Sequence, residues 1–120
     1  MNRDDGSART IFSRIIDGEI PGDFVYQDEH VVAIRDIHPA APVHILVIPR
    51  KPIPSLMDLE EGDVELAGRL LRAVRRVAEQ EGLASGYRVV INTGPDGGQT
   101  VPHLHVHILG GRTFSEKMLP

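Results

Sequence analysis

The sequence contains no cysteine and no tryptophan, and only 4% of its 120 residues are aromatic. Without cysteine the chain can form no disulfide, no thiol nucleophile and no zinc site built on thiolates. This composition suits a reducing compartment, so we expect a cytoplasmic protein. Residues 1–9 are polar and lack an apolar stretch, so we expect no secretory signal peptide.

Long apolar runs and a basic stripe are missing as well. No run approaches the roughly 20 apolar residues that a membrane-spanning helix needs, so we expect no membrane partner. The 17 acidic and 13 basic side chains give a formal net charge of −4. This balance argues against a nucleic-acid partner, because phosphate neutralisation needs clustered Lys and Arg. What remains is the ordinary composition and length of a single globular domain.

Local patterns predict a short helix and five strands. The helix is expected over residues 10–17, with Thr10 as its N-terminal cap and Gly18 as its end. Runs rich in β-branched residues, bounded by Pro, Gly and polar residues, predict the strands. The strands are expected over 24–27, 31–36, 43–48, 87–92 and 103–109.

A long amphipathic helix is predicted between the third and fourth strands. It is expected to begin at a capping box formed by Asp58 and Glu61 and to end at Gly82. Its apolar stripe comprises Leu66, Ala67, Leu70, Leu71, Val74, Val77 and Ala78. Strands with short connections and segregated helices predict an α+β fold with a five-stranded antiparallel sheet, one long helix and one short helix.

The most informative motif is the run from His103 to His107, in which histidine alternates with Leu104 and Val106. Successive side chains of a strand point to opposite faces, so the three histidines are expected to share one face, about 6.6 Å apart in succession. Leu104, Val106 and Ile108 would then pack under the long helix. Clustered histidines on one face favour a chemical function over a merely solvated sheet surface.

Two kinds of site fit such a cluster. In a metal site the outer two histidines are about 13 Å apart at the backbone, so an ion would need further ligands, such as His44, Asp36 or Asp96. In covalent catalysis the central imidazole attacks the substrate, one neighbour fixes its tautomer, and the other helps to hold the charged substrate.

The glycine-rich loop over residues 92–100 favours covalent catalysis. Its glycines allow backbone N–H groups to converge on an anion, and Gln99 and Thr100 are expected to add side-chain donors. A nucleophile beside such an anion cradle indicates phosphoryl chemistry. Asp96 is expected to be a turn residue.

The segment from His103 to Leu109 resembles the signature of the histidine triad (HIT) superfamily, in which three histidines alternate with apolar residues. Other stretches resemble the nucleotide-binding Hint branch of that family in its bacterial form. These stretches are 11–16, 19–21, 35–49, 97–99 and 109–112. The resemblance predicts one HIT domain over 10–112, which leaves residues 1–9 as an expected flexible arm and residues 113–120 as a tail.

The resemblance implies a homodimer in which two five-stranded sheets join across the interface. It also implies hydrolysis of purine nucleoside 5′-phosphoramidates, which are conjugates of AMP or GMP, through a nucleotidyl-histidine intermediate. Aminoacyl adenylates are further substrates that it suggests. No cofactor and no metal belong to that reaction. The alternative is a nucleotide-binding or interaction module with little catalysis, which the unfamiliar tail would suit.

The resemblance also implies roles for individual residues. His105 would be the nucleophile, His103 and His107 would support it, and His44 matches another active-site histidine. Asp36 would hold the ribose hydroxyls, which suits a carboxylate acceptor. The remaining nucleotide-binding residues would be Asn92, Gly98, Gln99 and Thr100 near the phosphate, and Phe12, Ile20, Ile37 and Leu46 around the base.

Overall fold

A computed structural model describes residues 9–117, in which five strands form one antiparallel sheet. The strands are β1 (Phe24–Gln27), β2 (Val31–Arg35), β3 (Val43–Pro49), β4 (Arg88–Val90) and β5 (Val106–Gly110). Their order across the sheet is β1-β2-β3-β5-β4. The predicted five-stranded antiparallel sheet is therefore confirmed. The expected flexible arm lies outside the described residues except for Arg9, as do residues 118–120 of the tail.

The short helix α1 (Ile11–Ile16) lies on one face of the sheet. Thr10 caps it, because the Ser13 amide donates to the Thr10 hydroxyl oxygen over 3.2 Å. Gly18, with a φ of +80°, ends the helical turn as predicted. The helix packs Phe12 and Ile15 against apolar side chains of β2 and β3.

The long helix α2 (Val64–Gln80) begins later than the sequence predicts. Asp58 does not cap it, because Asp58 closes a separate 3-10 turn (Leu56–Asp58) and Leu59 then takes an extended conformation. A second 3-10 turn (Glu61–Asp63) leads into the helix. The prediction that Asp58 and Glu61 form the capping box of this helix is thus wrong.

The apolar stripe of α2 covers the other face of the sheet. Leu70, Val74 and Val77 are buried there against side chains of β2, β3 and β5. Leu71, which the pattern placed in the stripe, is 58% exposed. The chain leaves the helix at Gly82, whose φ of +76° gives the left-handed turn predicted there. No helix in the described part of the chain is long and apolar enough to span a bilayer.

The histidine segment departs from its predicted strand. β5 begins only at Val106, so His103 and His105 precede it. The reason is that the Leu104 amide donates to the Ile53 carbonyl, 2.7 Å away, rather than to a neighbouring strand. The alternation nevertheless continues, since Leu104, Val106 and Ile108 all lie in the core under α2, as predicted. The fourth strand is also shorter than predicted.

The described part of the tail folds back beside β4. The guanidinium groups of Arg88 and Arg112 lie 4.9 Å and 4.3 Å from the centre of the Phe114 ring. Arg88 also donates to the carbonyl of Ser115. These contacts place residues 113–115 beside the start of an outer strand of the sheet.

Candidate active site

A cavity of about 300 Å³ opens on the α1 side of the sheet. The residues expected in a site that line it are Phe12, Asp36, Ile37, Leu46, Thr100, His105 and His107. Six further residues line it that were not predicted as site residues, namely Ile11, Ile15, Ile34, Arg35, His38 and Val101. The four apolar residues among them carry a weak signal, because apolar residues of a helix or strand fit a core equally well.

The other expected residues lie around this cavity rather than on its wall. His103 is almost fully buried, and His44 lies behind His107. Ile20 packs, partly buried, beside the cluster under α1. The remaining three, Asn92, Gly98 and Gln99, belong to the loop between β4 and the histidine segment. The structure therefore brings His105 and His107 to the cavity and places His103 beneath them.

The ring of His105 has its tautomer fixed by the backbone. Its Nδ1 lies 2.7 Å from the carbonyl oxygen of His103, and a carbonyl can only accept, so Nδ1 carries the hydrogen. In the neutral ring Nε2 then bears the lone pair. His105 is only 7% exposed, and Phe12 packs against one side of its ring at a centroid distance of 4.9 Å. The expected tautomer-fixing neighbour is thus the main chain of His103, and not its side chain.

The side chain of His103 serves as a support. Its Nε2 donates to the carbonyl of Pro49, the last residue of β3, over 2.8 Å. Burial lowers the pKa of His103, and the hydrogen bond to Pro49 opposes this effect. A neutral, buried His103 therefore holds its own main chain against the end of the central strand.

His44 and His107 form a second hydrogen-bonded pair. The Ala40 amide donates to His44 Nδ1 over 3.0 Å, so the hydrogen of the neutral His44 ring lies on Nε2. That Nε2 lies 2.9 Å from His107 Nδ1, which must accept. The hydrogen of His107 is then on its own Nε2, which meets no hydrogen-bond partner among residues 9–117. Backbone and side chains together thus leave His107 with one buried donor that has no partner among these residues.

Burial keeps this pair neutral. It lowers the pKa of His107 to about 4, with smaller effects of the same sign from His105 and His44. Burial also lowers the pKa of His44, while the nearby carboxylate of Asp36 acts in the opposite direction. At neutral pH the rings therefore donate and accept as neutral imidazoles, which the tautomers require.

One cluster has the composition of a metal site. Asp36, His44 and His107 each offer a ligand atom, and these atoms lie within 4.8 Å of one another. Two of the further ligands that the sequence analysis considered, Asp36 and His44, are therefore close to one histidine of the motif. Asp96 is not among them, since it is exposed in a 3-10 turn (Pro95–Gly97), as expected for a turn residue.

The glycine-rich loop is held by Gln99. Its side-chain oxygen accepts from the Gly94 amide over 2.9 Å. Its side-chain nitrogen donates to the carbonyls of Pro54 and Val101 over 2.8 Å and 3.0 Å. Both donors of this amide are therefore occupied, so Gln99 does not add the side-chain donor to the cavity that the sequence predicted. Thr100 does reach the cavity.

Comparisons with known proteins identify the family. Residues 17–114 match the family described as the HIT domain. Purine nucleoside phosphoramidase of Escherichia coli is 52% identical over 104 residues, which are 86% of this chain and 87% of that protein. Adenylylsulfatase HINT1 of Arabidopsis thaliana is 52% identical over 108 residues, 88% of this chain and 74% of that protein.

A solved structure gives the same picture of the fold. The HIT family hydrolase from Clostridium thermocellum superposes with a TM-score of 0.90 at 42% identity, covering 92% of this chain and 97% of that one. The range that matches the family contains all five strands, the long helix and the whole histidine segment.

Proposed function

We propose that this chain, which belongs to the HIT family, hydrolyses the P–N bond of purine nucleoside 5′-phosphoramidates through a nucleotidyl-histidine intermediate on His105. The observation that carries the proposal is the tautomer of His105, whose Nδ1–H donates to the His103 carbonyl and whose Nε2 bears the lone pair. The names of the Escherichia coli and Arabidopsis relatives, each 52% identical, support a purine nucleotide conjugate as the substrate. Aminoacyl adenylates are a second proposed substrate class.

In the first step the lone pair on His105 Nε2 attacks the α-phosphorus, and a new N–P bond forms. The P–N bond to the leaving group breaks, and the leaving nitrogen takes up a proton and departs as an amine. The ring becomes positively charged, and the hydrogen bond from Nδ1 to the His103 carbonyl stabilises that charge. Water then attacks the phosphorus, and the N–P bond to His105 breaks with its electron pair returning to Nε2. The proton that this water loses balances the one that the leaving amine took up from solvent, and the nucleoside monophosphate departs.

His107 supports the developing charge on the phosphoryl group. Its Nε2–H has no partner among the described residues, and its ring lies 5.1 Å from that of His105 between centroids. A donor oriented beforehand by His44 stabilises a phosphoryl oxygen without reorganising during the reaction. His103 contributes through its main-chain carbonyl, which accepts from Nδ1 of His105.

The nucleotide would occupy the cavity on the α1 side. Asp36 would accept from the ribose hydroxyls, although one of its oxygens already accepts from the His38 amide over 2.8 Å. Around the base we place Phe12, Ile20, Ile37 and Leu46. Near the phosphate we place Asn92, Gly98 and Thr100, with Gln99 supporting their loop.

We further propose a homodimer that joins two sheets along β4. Among the described strands β4 pairs only with β5, so its other edge is available for pairing. Val89 on this strand, Tyr87 just before it and Leu71 on α2 are exposed large apolar residues. An exposed apolar edge of this kind is typical of an interface. A reducing cytoplasm remains the compartment we propose, because the chain lacks cysteine.

The first experiment replaces the nucleophile. His105→Ala is expected to abolish turnover of adenosine 5′-phosphoramidate while AMP binding, measured by calorimetry, is retained. The matched control is His30→Ala, which removes a histidine from the turn between β1 and β2 and is expected to leave turnover unchanged. Retained turnover in His105→Ala would contradict the mechanism. A wild-type protein that binds AMP but hydrolyses no phosphoramidate would favour a nucleotide-binding module instead.

A further inference from the structure

The segment of residues 49–54, which begins with the last residue of β3, lies directly behind the histidine segment and the glycine-rich loop. Three of its carbonyl oxygens accept hydrogen bonds from them. Pro49 accepts from the His103 ring over 2.8 Å, and Ile53 accepts from the Leu104 amide over 2.7 Å. Pro54 accepts from the Gln99 side chain over 2.8 Å. One short segment therefore supports both parts of the site.

The central contact acts on the peptide group between His103 and Leu104. The carbonyl of that group accepts the Nδ1–H of His105, while its N–H donates to Ile53. The C=O and the N–H of one rigid peptide unit are thus both hydrogen-bonded, and hydrogen bonds linked in this way strengthen one another. A shift of the Ile53 carbonyl would therefore move the group that fixes the tautomer of His105.

The 49–54 segment is held at its start by Arg50, whose amide donates to the His30 carbonyl over 2.8 Å. Its prolines at positions 49, 52 and 54 have no backbone N–H to donate. The Lys51 ammonium donates to Asp63 Oδ1 over 2.6 Å, and Oδ2 of the same carboxylate accepts from the Glu60 amide over 2.9 Å. The Asp63 side chain is only 4% exposed, whereas that of Lys51 is 57% exposed. A buried carboxylate immediately before α2 therefore gives the segment a second anchor, through Lys51.

We propose that the ion pair between Lys51 and Asp63 is a positioning device for the nucleophile. It holds the 49–54 segment in place, so that the Ile53 carbonyl fixes the orientation of the His103–Leu104 peptide. In that orientation the His103 carbonyl accepts from Nδ1 of His105, which keeps the hydrogen of the ring on Nδ1. Lys51 and Asp63 are thus positioning residues that touch neither the substrate nor the reacting atoms. This inference rests on the proposed function, since it assumes that His105 attacks through Nε2.

The test replaces Lys51 by Met, which keeps most of the side-chain stem and removes the charge. With adenosine 5′-phosphoramidate, Lys51→Met is expected to lower kcat about tenfold, because misplacement of catalytic groups by about 1 Å costs up to about 100-fold. KM is expected to change little, because the described lining of the cavity includes no residue of the 49–54 segment. Lys51→Arg keeps a cation that can reach Asp63 and is expected to retain kcat.

The decisive readout is the tautomer itself. In ¹⁵N-labelled wild-type protein, His105 is expected to give the imidazole pattern of a ring protonated on Nδ1. In Lys51→Met this pattern is expected to shift toward a mixture with the Nε2-protonated form. Arg75→Met is the matched control, because it removes a cation from an exposed ion pair with Glu79 on α2. It is expected to change neither kcat nor the pattern.

The possible results distinguish a failure of this inference from a failure of the proposed function. An unchanged His105 pattern in Lys51→Met overturns the inference, whether or not kcat falls, because a purely structural role would leave the tautomer intact. Asp63→Asn, which removes the partner charge, must give the same shift and serves if Lys51→Met does not fold. If wild-type protein does not hydrolyse the substrate, the proposed function fails, yet the spectra of Lys51→Met still decide whether the ion pair sets the tautomer.

Discussion

The two faces of the sheet receive different kinds of side chain from neighbouring residues of the same strand. On the α2 face, β5 contributes Val106 and Ile108, which are fully buried among apolar side chains. On the α1 face the same strand contributes His107, which lines a cavity together with His105. On this strand one face therefore carries only core residues, whereas the other carries a histidine that we propose to be catalytic, beside the apolar cluster under α1. The comparison teaches that the apolar face fixes the backbone from which the histidines project.

The largest contrast is expected between Ile108→Ala and His105→Ala. Ile108 is fully buried, so its truncation should lower the free energy of unfolding by about 2–5 kcal/mol. Turnover by the folded fraction of Ile108→Ala should stay close to that of the wild type. His105→Ala should do the reverse, with turnover lost and the urea midpoint little changed.

Urea unfolding combined with turnover at a temperature where both variants are folded checks this contrast. If Ile108→Ala lost turnover while folded, the assignment of Ile108 on the α2 face to stability alone would be wrong. If His105→Ala unfolded, the α1 face would also be a major source of stability.

A second, smaller contrast concerns pH. His107 has a pKa lowered from 6.5 to about 4 by burial, so the folded state binds fewer protons than the unfolded state between these values. The neutral ring favours folding fully above about pH 6.5, and this contribution is lost as the pH falls toward 4. The full effect is on the order of 3 kcal/mol.

The measurement is the free energy of unfolding by urea at pH 7 and pH 4.5. Wild-type protein is expected to lose more stability on acidification than His107→Gln, which cannot titrate at this position. His30→Gln, changed at a half-buried histidine that does not line the cavity, should follow the wild type. Equal acid sensitivity of wild type and His107→Gln would show that burial of this ring does not control the acid response.

This difference between the faces explains which features the sequence could predict. Alternation placed Leu104, Val106 and Ile108 correctly under α2, because burial on one face repeats every second residue. Alternation could not show that His103 and His105 precede the strand. That outcome depends on hydrogen bonds to Pro49 and Ile53, which are remote in sequence.

The same limit applies to the site. The sequence identified the histidines and the glycine-rich loop, since both carry strong local patterns. It assigned the side-chain donors of Gln99 to the substrate, whereas the structure gives them to the carbonyls of Pro54 and Val101. An amide can donate equally well to a ligand or to a loop, so the residue type alone does not decide its partner.

The smallest expected effect is that of a chelator. It tests whether turnover on the α1 face depends on side chains alone or on a bound metal ion. Asp36, His44 and His107 could provide ligands for a divalent ion. However, His44 Nε2 and His107 Nδ1 already share one hydrogen over 2.9 Å, and an ion between them would have to displace it. Such an ion would also occupy Asp36, which we place at the ribose. We therefore expect kcat for adenosine 5′-phosphoramidate to be unchanged by EDTA in protein purified without a histidine tag. A loss of turnover in EDTA that added zinc restores would instead make the α1 face a metal centre.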